Sequence, residues 1–201
     1  MDSLEPSHFY HIYNHANGGE NIFREAENYR FFLEKYELYI SPVAETFAWC
    51  LMPNHFHLLV QIRDETTLLT KALPKFKTLE ELNSANAISK QFSRPFSSYT
   101  QAYNKKYMRM GSLFMKNFKR HLIDTNNYFS KIVHYIHANP VHHGFVKAIS
   151  DWHWSSYHSF LSTAPTKIKR AAVLDWFGGR DGFVQFHQQT IDLKSKDMFD
   201  E

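Results

Sequence analysis

Residues 50–60 read CLMPNHFHLLV, and the runs ETFAWCLMP and HFHLLVQI meet there at Pro53-Asn54, a turn-prone pair. This predicts two neighbouring antiparallel strands joined by a tight hairpin. Period-two geometry then puts His55 and His57 on one face of the second strand and Phe56 on the other. Imidazoles are awkward in a buried strand, because each ring brings a donor and an acceptor that need partners. Two on one face, about 7 Å apart along the strand, can also converge on one divalent cation. On spacing alone the pair fits satisfied core histidines as well as ligands, and two ligands do not complete a site.

Upstream, HFYHIYNHA (residues 8–16) alternates apolar and polar residues like a half-buried strand, and NGGEN supplies a loop. Phe23, Tyr29, Phe32, Leu33, Tyr36 and Ile40 then follow helical spacing up to Pro42. Downstream, residues 64–83 suggest a short helix and a polar connection. Ile88, Phe92, Phe96, Tyr99, Tyr103 and Tyr107 recur at spacings of three and four. Pro95 sits inside that pattern, so the helix either starts there, with Ser93 as its cap, or kinks. GSLFMKNFKRHLI (111–123) reads as a strand entered by a glycine turn. Thr125 or Asn126 is placed to cap the next helix, NYFSKIVHYIHAN, which Pro140 is expected to stop. SDWHWSSYHSFL reads as a further short helix, and WFGGRDG as a loop in a weakly patterned C-terminal stretch. Strands interleaved with helices and a hairpin imply an α+β fold, a largely antiparallel sheet with helices packed on it. The expected organisation is one domain over residues 1–163, with 164–201 a helical extension packed on it.

The 201 residues are 43% hydrophobic and 16% aromatic, enough for one substantial core. The formal net charge is only +3, but its distribution is uneven. Leu82 to Ile123 contains no Asp or Glu and eight Lys or Arg residues. Such a run is the footprint of a polyanion site, or else a solvated face whose acidic partners come from elsewhere in the fold. The single cysteine, Cys50, excludes an intramolecular disulfide and reads as a small buried hydrophobe. No signal-peptide pattern opens the chain and no apolar stretch reaches membrane-spanning length, so the expectation is cytoplasmic, without a membrane.

A third ligand for the histidine pair is sought among thirteen histidines and the oxygen-bearing side chains. An oxygen ligand suits Mg²⁺ or Mn²⁺. In KIVHYIHANP, Tyr135 and Asn139 stand four apart and share one helical face. Asn139 offers a carbonyl oxygen, and Tyr135 a phenol that would need a neighbouring cation to act as a nucleophile near neutral pH. The competing reading is an amphipathic helix that buries Tyr135 and ends on Asn139.

CLMPNHFHLLV, GSLFMKNFKR, YIHANPVHHGFV and DWHWSSYHSF together resemble the single-tyrosine HUH transposases of the IS200-like superfamily, and within it the branch associated with repetitive extragenic palindromes (REP). The likeness is colinear from about His8 to Leu161. It implies a ferredoxin-like α+β domain whose central antiparallel sheet carries the histidine pair. It also implies that His55, His57 and Asn139 hold a divalent metal, Mg²⁺ or Mn²⁺, and that Tyr135 is the nucleophile. The implied activity is single-stranded DNA cleavage and strand transfer near a DNA hairpin, through a 5′-phosphotyrosine linkage. The partner would be single-stranded DNA with palindromic hairpin elements, bound by a monomer or homodimer, and nucleoid-associated when bound. Lys105, Lys106, Arg109, Lys116, Lys119 and Arg120 of the acid-free segment become the DNA-binding candidates. Phe92, Phe96, Tyr99 and Tyr103 belong to the core by their spacing. Where many relatives carry an Asn-Arg-Gly-like sequence after the first strand, this chain has NHANGGEN, with His15 near the place of the arginine. Two other readings stand beside the nuclease: a domesticated or inactive relative that binds hairpins without cutting, and a metal-dependent hydrolase that does not use Tyr135.

Overall fold

The computed structural model describes residues 3–84, 86–123 and 126–189. Strand β1 (Phe9–His15) leads through the glycine loop into helix α1 (Ala26–Ile40). Strands β2 (Ala44–Met52) and β3 (His55–Ile62) form the expected hairpin about Pro53-Asn54. A helical turn α2 (Glu65–Thr67), a π-helical turn (Leu68–Ala72) and α3 (Leu79–Ser84) connect to the long α4 (Ala87–Lys106). Strand β4 (Lys119–Ile123), α5 (Asn126–His142), a 3-10 turn (Ile149–Asp151), α6 (Tyr157–Leu161), α7 (Arg170–Trp176) and α8 (Arg180–His187) follow. The sheet order is β2-β3-β1-β4, and every neighbouring pair is antiparallel. This is the α+β, ferredoxin-like arrangement, in which each crossing helix returns the chain to the sheet beside an antiparallel neighbour.

The sheet separates two cores. On one side Ile12, Phe56, Leu58 and Val60 meet Phe32 of α1 and Phe92, Phe96 and Tyr99 of α4. On the other side Ala48, Cys50, Met52 and Leu59 meet Phe129, Ile132, Val133 and Ile136 of α5. Phe160, Val173 and Phe183, one from each of α6, α7 and α8, complete that second core. Cys50 is fully buried there, and burial raises its thiol well above the usual range.

Five expectations need correction. Pro95 does not start a helix, because α4 runs through it from Ala87 to Lys106. The strand expected over 111–123 is only Lys119–Ile123, since Gly111 (φ 86°) and Asn117 (φ 63°) adopt left-handed conformations that interrupt an extended run. Helix α5 does not stop at Pro140. A proline removes one bond to the preceding turn, and here only two more residues follow before Gly144 (φ 72°) closes the helix. SDWHWSSYHSFL is not one helix, because Trp154 and Ser156 hydrogen-bond along the outer edge of β2 before α6 begins. WFGGRDG contains a turn at Phe177–Gly179, with α7 ending on Trp176 and α8 beginning at Arg180. Thr125 lies outside the described residues, and α5 begins at Asn126.

Candidate active site

The register of β1 against β3 sets His15 opposite His55 and Tyr13 opposite His57. Directly paired residues share a face, so His11, Tyr13 and His15 line the same side as the histidine pair. Helix α5 covers that side and brings Tyr135 and Asn139 down onto it. His55, His57 and Asn139 are at most 1% exposed, and Tyr135 is 7% exposed. The His55 and His57 rings stand 5.2 Å apart and nearly perpendicular, and the Tyr135 ring lies 5.4 Å from His57. Four positions from two distant parts of the sequence therefore share one small volume.

Local hydrogen bonds fix which imidazole nitrogens can carry lone pairs. His55 Nδ1 lies 2.8 Å from the Asn54 side-chain oxygen, an acceptor, so Nδ1 carries the proton and Nε2 of the neutral ring carries the lone pair. That Nε2 faces Asn139 Oδ1 at 2.9 Å, while the Asn139 amide nitrogen has no hydrogen-bond partner among the described residues. Two lone-pair atoms facing each other in a buried space need a cation or a proton between them. His57 Nδ1 lies 2.9 Å from His11 Nε2. With His57 Nδ1 donating to His11, His57 Nε2 carries the lone pair, the arrangement by which an outer partner orients an imidazole able to bind a metal. Two imidazoles and an amide oxygen fit a divalent cation of intermediate hardness. Among the described residues no three His, Cys, Asp or Glu side chains converge on one point, so the amide oxygen is essential to this set.

His11 and Tyr13 belong to the site although spacing in the sequence did not single them out. His11 bonds His57, and the Tyr13 ring stacks 5.5 Å from it. The sign available in the sequence was the alternation His11-Tyr13-His15 along β1. His15 stacks on His55 at 4.7 Å, and His143, just past α5, lies 4.9 Å from His55. Two other buried tyrosines lie away from the histidines. Tyr99 donates to the Ile22 carbonyl and Tyr103 to the Asn21 carbonyl, both in the α1–α4 core.

The basic candidates divide by partner. Lys106 pairs with Glu25 and Glu27, and Arg109 grips Glu20 through Nε and Nη2 at 2.6 Å. These acids come from the β1–α1 loop and the start of α1, so this corner is an ion-paired brace in which three carboxylates meet two cations. Lys105, Lys116 and Lys119 are exposed and make no ion pair among the described residues. Arg120 donates to Ser89 Oγ at 2.6 Å and lies over the Phe118 ring.

A second imidazole group lies beyond the far side of α5. His137 Nδ1 meets His187 Nε2 at 2.9 Å, and His137 Nε2 meets Ser156 Oγ at 2.8 Å. The His134 ring lies 5.3 Å from His187. Burial holds His134 down to about 4 and His187 to about 3, and holds His137 well below its usual value. These neutral imidazoles fasten α8 and the segment before α6 to the helix that carries Tyr135.

No family model matches the chain. A Haemophilus influenzae protein described as a REP-associated tyrosine transposase is 32% identical over 117 residues, covering 57% of this chain and 59% of the relative. The REP-associated tyrosine transposase of Escherichia coli K12 is 28% identical over 131 residues, covering 65% and 61%. The chain thus aligns with about three fifths of the length of each. A REP-associated tyrosine transposase solved bound to a REP hairpin superposes with a TM-score of 0.61 at 18% identity, over 83% of this chain and 88% of that one. The likeness to REP-associated tyrosine transposases is therefore present in the sequence, and the fold agrees with it.

Proposed function

We propose that a chain with this likeness and this site is a metal-dependent single-strand DNA endonuclease and strand transferase, acting in the cytoplasm beside DNA hairpins. The observation that carries the reading is the meeting of Tyr135 and Asn139 of α5 with His55 and His57 of β3. His55 Nε2, His57 Nε2 and Asn139 Oδ1 would hold Mg²⁺ or Mn²⁺. That ion, when bound, polarises a phosphoryl oxygen and favours the phenolate. His11 orients His57, and Asn54 orients His55. The hydroxyl of Tyr135 attacks the phosphorus of a DNA phosphodiester and loses its proton. The bond to the 3′ oxygen breaks, and that oxygen takes up a proton. The products are a 5′-phosphotyrosine and a free 3′-hydroxyl, and a second 3′-hydroxyl reverses the step without hydrolysis.

The likeness to a protein solved with a REP hairpin supports a DNA hairpin as partner. The test is incubation of the chain with hairpin-bearing single-stranded DNA and Mn²⁺, with the covalent adduct read on a denaturing gel. Wild type is expected to form adduct, and Tyr135→Phe none. Adduct that persists in Tyr135→Phe overturns the nucleophile. Nicking in Tyr135→Phe with free 5′ ends would identify a hydrolase, and metal-independent binding without nicking a hairpin-binding module.

A further inference from the structure

DWHWSSYHSF, and His137 within YIHANPVHHGFV, take no part in the cleavage chemistry, yet they meet behind helix α5. Tyr135 and Asn139 face the histidines. His137 stands two residues from each, about 200° around the helix from Tyr135, and so points away from the sheet. It is 0% exposed, as is Ser156.

The segment that carries Ser156 is laced to the outer edge of β2. Trp152 Nε1 donates to the Leu51 carbonyl at 3.0 Å, and the Ser156 amide to the Trp49 carbonyl at 2.9 Å. Ser156 Oγ in turn accepts from the Trp49 amide at 2.9 Å. On the other side of His137, His187 Nδ1 lies 2.8 Å from the Phe183 carbonyl, an acceptor, so its Nε2 carries the lone pair. Burial holds both rings neutral. His137 Nδ1 therefore donates to His187 Nε2 at 2.9 Å, and His137 Nε2 accepts from Ser156 Oγ at 2.8 Å. Every bond in this row has one direction. Trp49 pairs with Leu58, the rung beside Cys50 and His57. The row thus starts on the strand pair that carries the histidines and ends on α8, with α5 gripped between.

We propose that His137 is a positioning residue for the cleavage reaction, on whose assignment the inference rests: held between Ser156 and His187, it sets the rotation of α5 and so the place of Tyr135 and Asn139 against His55 and His57. Apolar contact does this poorly. Phe129, Ile132, Val133 and Ile136 bury α5, but hydrophobic attraction has no direction and lets a helix turn about its axis. A turn of about 10° moves a tyrosine hydroxyl by about 1 Å. A misplacement of that size costs about a hundredfold in rate. Stability alone does not call for the row, because apolar side chains of similar size would be buried there at less cost.

The test compares wild type with His137→Leu, Ser156→Ala, His187→Leu and His187→Gln. Each is measured for Mn²⁺ affinity without DNA, by electron paramagnetic resonance of the free ion, and for melting temperature. The single-turnover rate of adduct formation on hairpin-bearing single-stranded DNA is read on the same preparations. Ser156 and His187 lie outside α5, so their variants keep the test valid where His137→Leu does not fold. The folded Ser156→Ala and His187→Leu proteins are expected to form adduct about 10- to 100-fold more slowly. Their Mn²⁺ affinity is expected to fall about tenfold, because Asn139 is displaced with the helix. His187→Gln, whose amide oxygen can accept from His137 Nδ1, should recover most of both. A lower melting temperature with unchanged rate and Mn²⁺ affinity marks a purely structural row and overturns the proposal. So does a His187→Gln protein as impaired as His187→Leu. In both cases adduct in wild type leaves the nuclease reading standing. If wild type forms no adduct, the nuclease reading fails and the positioning role with it.

Discussion

On one side of β3, Phe56 is enclosed by Phe32, Phe96 and Phe114 at ring distances of 5.2 to 6.0 Å. One residue further along, on the other side, His57 is enclosed as fully, by His11, Tyr13 and Tyr135 at 5.1 to 5.5 Å. Both side chains are 0% exposed. Burying the phenyl ring removes apolar surface from water and stabilises the fold, whereas burying the imidazole costs free energy unless each nitrogen is satisfied. At this point of β3 one side chain therefore carries stability, and its neighbour is a buried polar group whose proposed role is chemical. The faces should come apart under mutation.

The largest effect is expected at the ligands. His57→Phe should slow adduct formation by about a thousandfold, because the proposed metal site would lose a ligand, while the melting temperature holds or rises. A large fall in melting temperature with activity retained would reverse the roles assigned to the two faces. Phe56→Ala should do the opposite and cost about 3–5 kcal/mol in denaturant unfolding, with adduct still formed by the folded fraction. The outer partner comes next. His11→Phe should reduce metal affinity or adduct rate by about 10- to 100-fold, read as a higher Mn²⁺ requirement.

A smaller effect concerns pH. His134 and His187 stay neutral in the folded chain down to about 4 and about 3, whereas in the unfolded chain they titrate near 6.5. The unfolded state then binds more protons, so this stability is complete above about pH 6.5 and drains away as pH falls towards 4. Thermal melts should drop by several degrees between pH 7 and 5, and His187→Phe should flatten that slope. The smallest contrast lies within the basic segment. Lys119→Ala should weaken DNA binding by a few-fold and reduce its salt slope by about one, while Lys106→Ala, whose cation is already paired, should change binding less.

Local features were legible in the sequence. The hairpin needs only alternation and a two-residue turn, so the strand period alone assigns its histidines to one face. Tyr135 and Asn139 were legible for the same reason, because a spacing of four is a statement about one helix. His11 and Tyr13 were not, since their place beside His57 depends on the pairing of β1 with β3, a long-range property. The braces of Lys106 and Arg109 were hidden for the same cause, their acids lying about eighty residues away. The overlong strand at 111–123 and the early stop at Pro140 had a local origin. Asn117 takes a left-handed conformation that asparagine adopts more readily than other non-glycine residues, a turn signal inside an otherwise strand-like run, while a helix that outlasts its proline goes against ordinary residue preference.

The contact between His55 and Asn139 closes a loop of 84 residues. It ties β3 to α5, the helix whose apolar side chains fill the second core, whereas the strand pairs and the α1–α4 core do not depend on it. A chain in which that contact loosens keeps its strand pairs and its α1–α4 core, and parts Asn139 and Tyr135 from the histidine pair. On the proposed reading, a strand transferase and a passive hairpin-binding module would then differ by the docking of one helix.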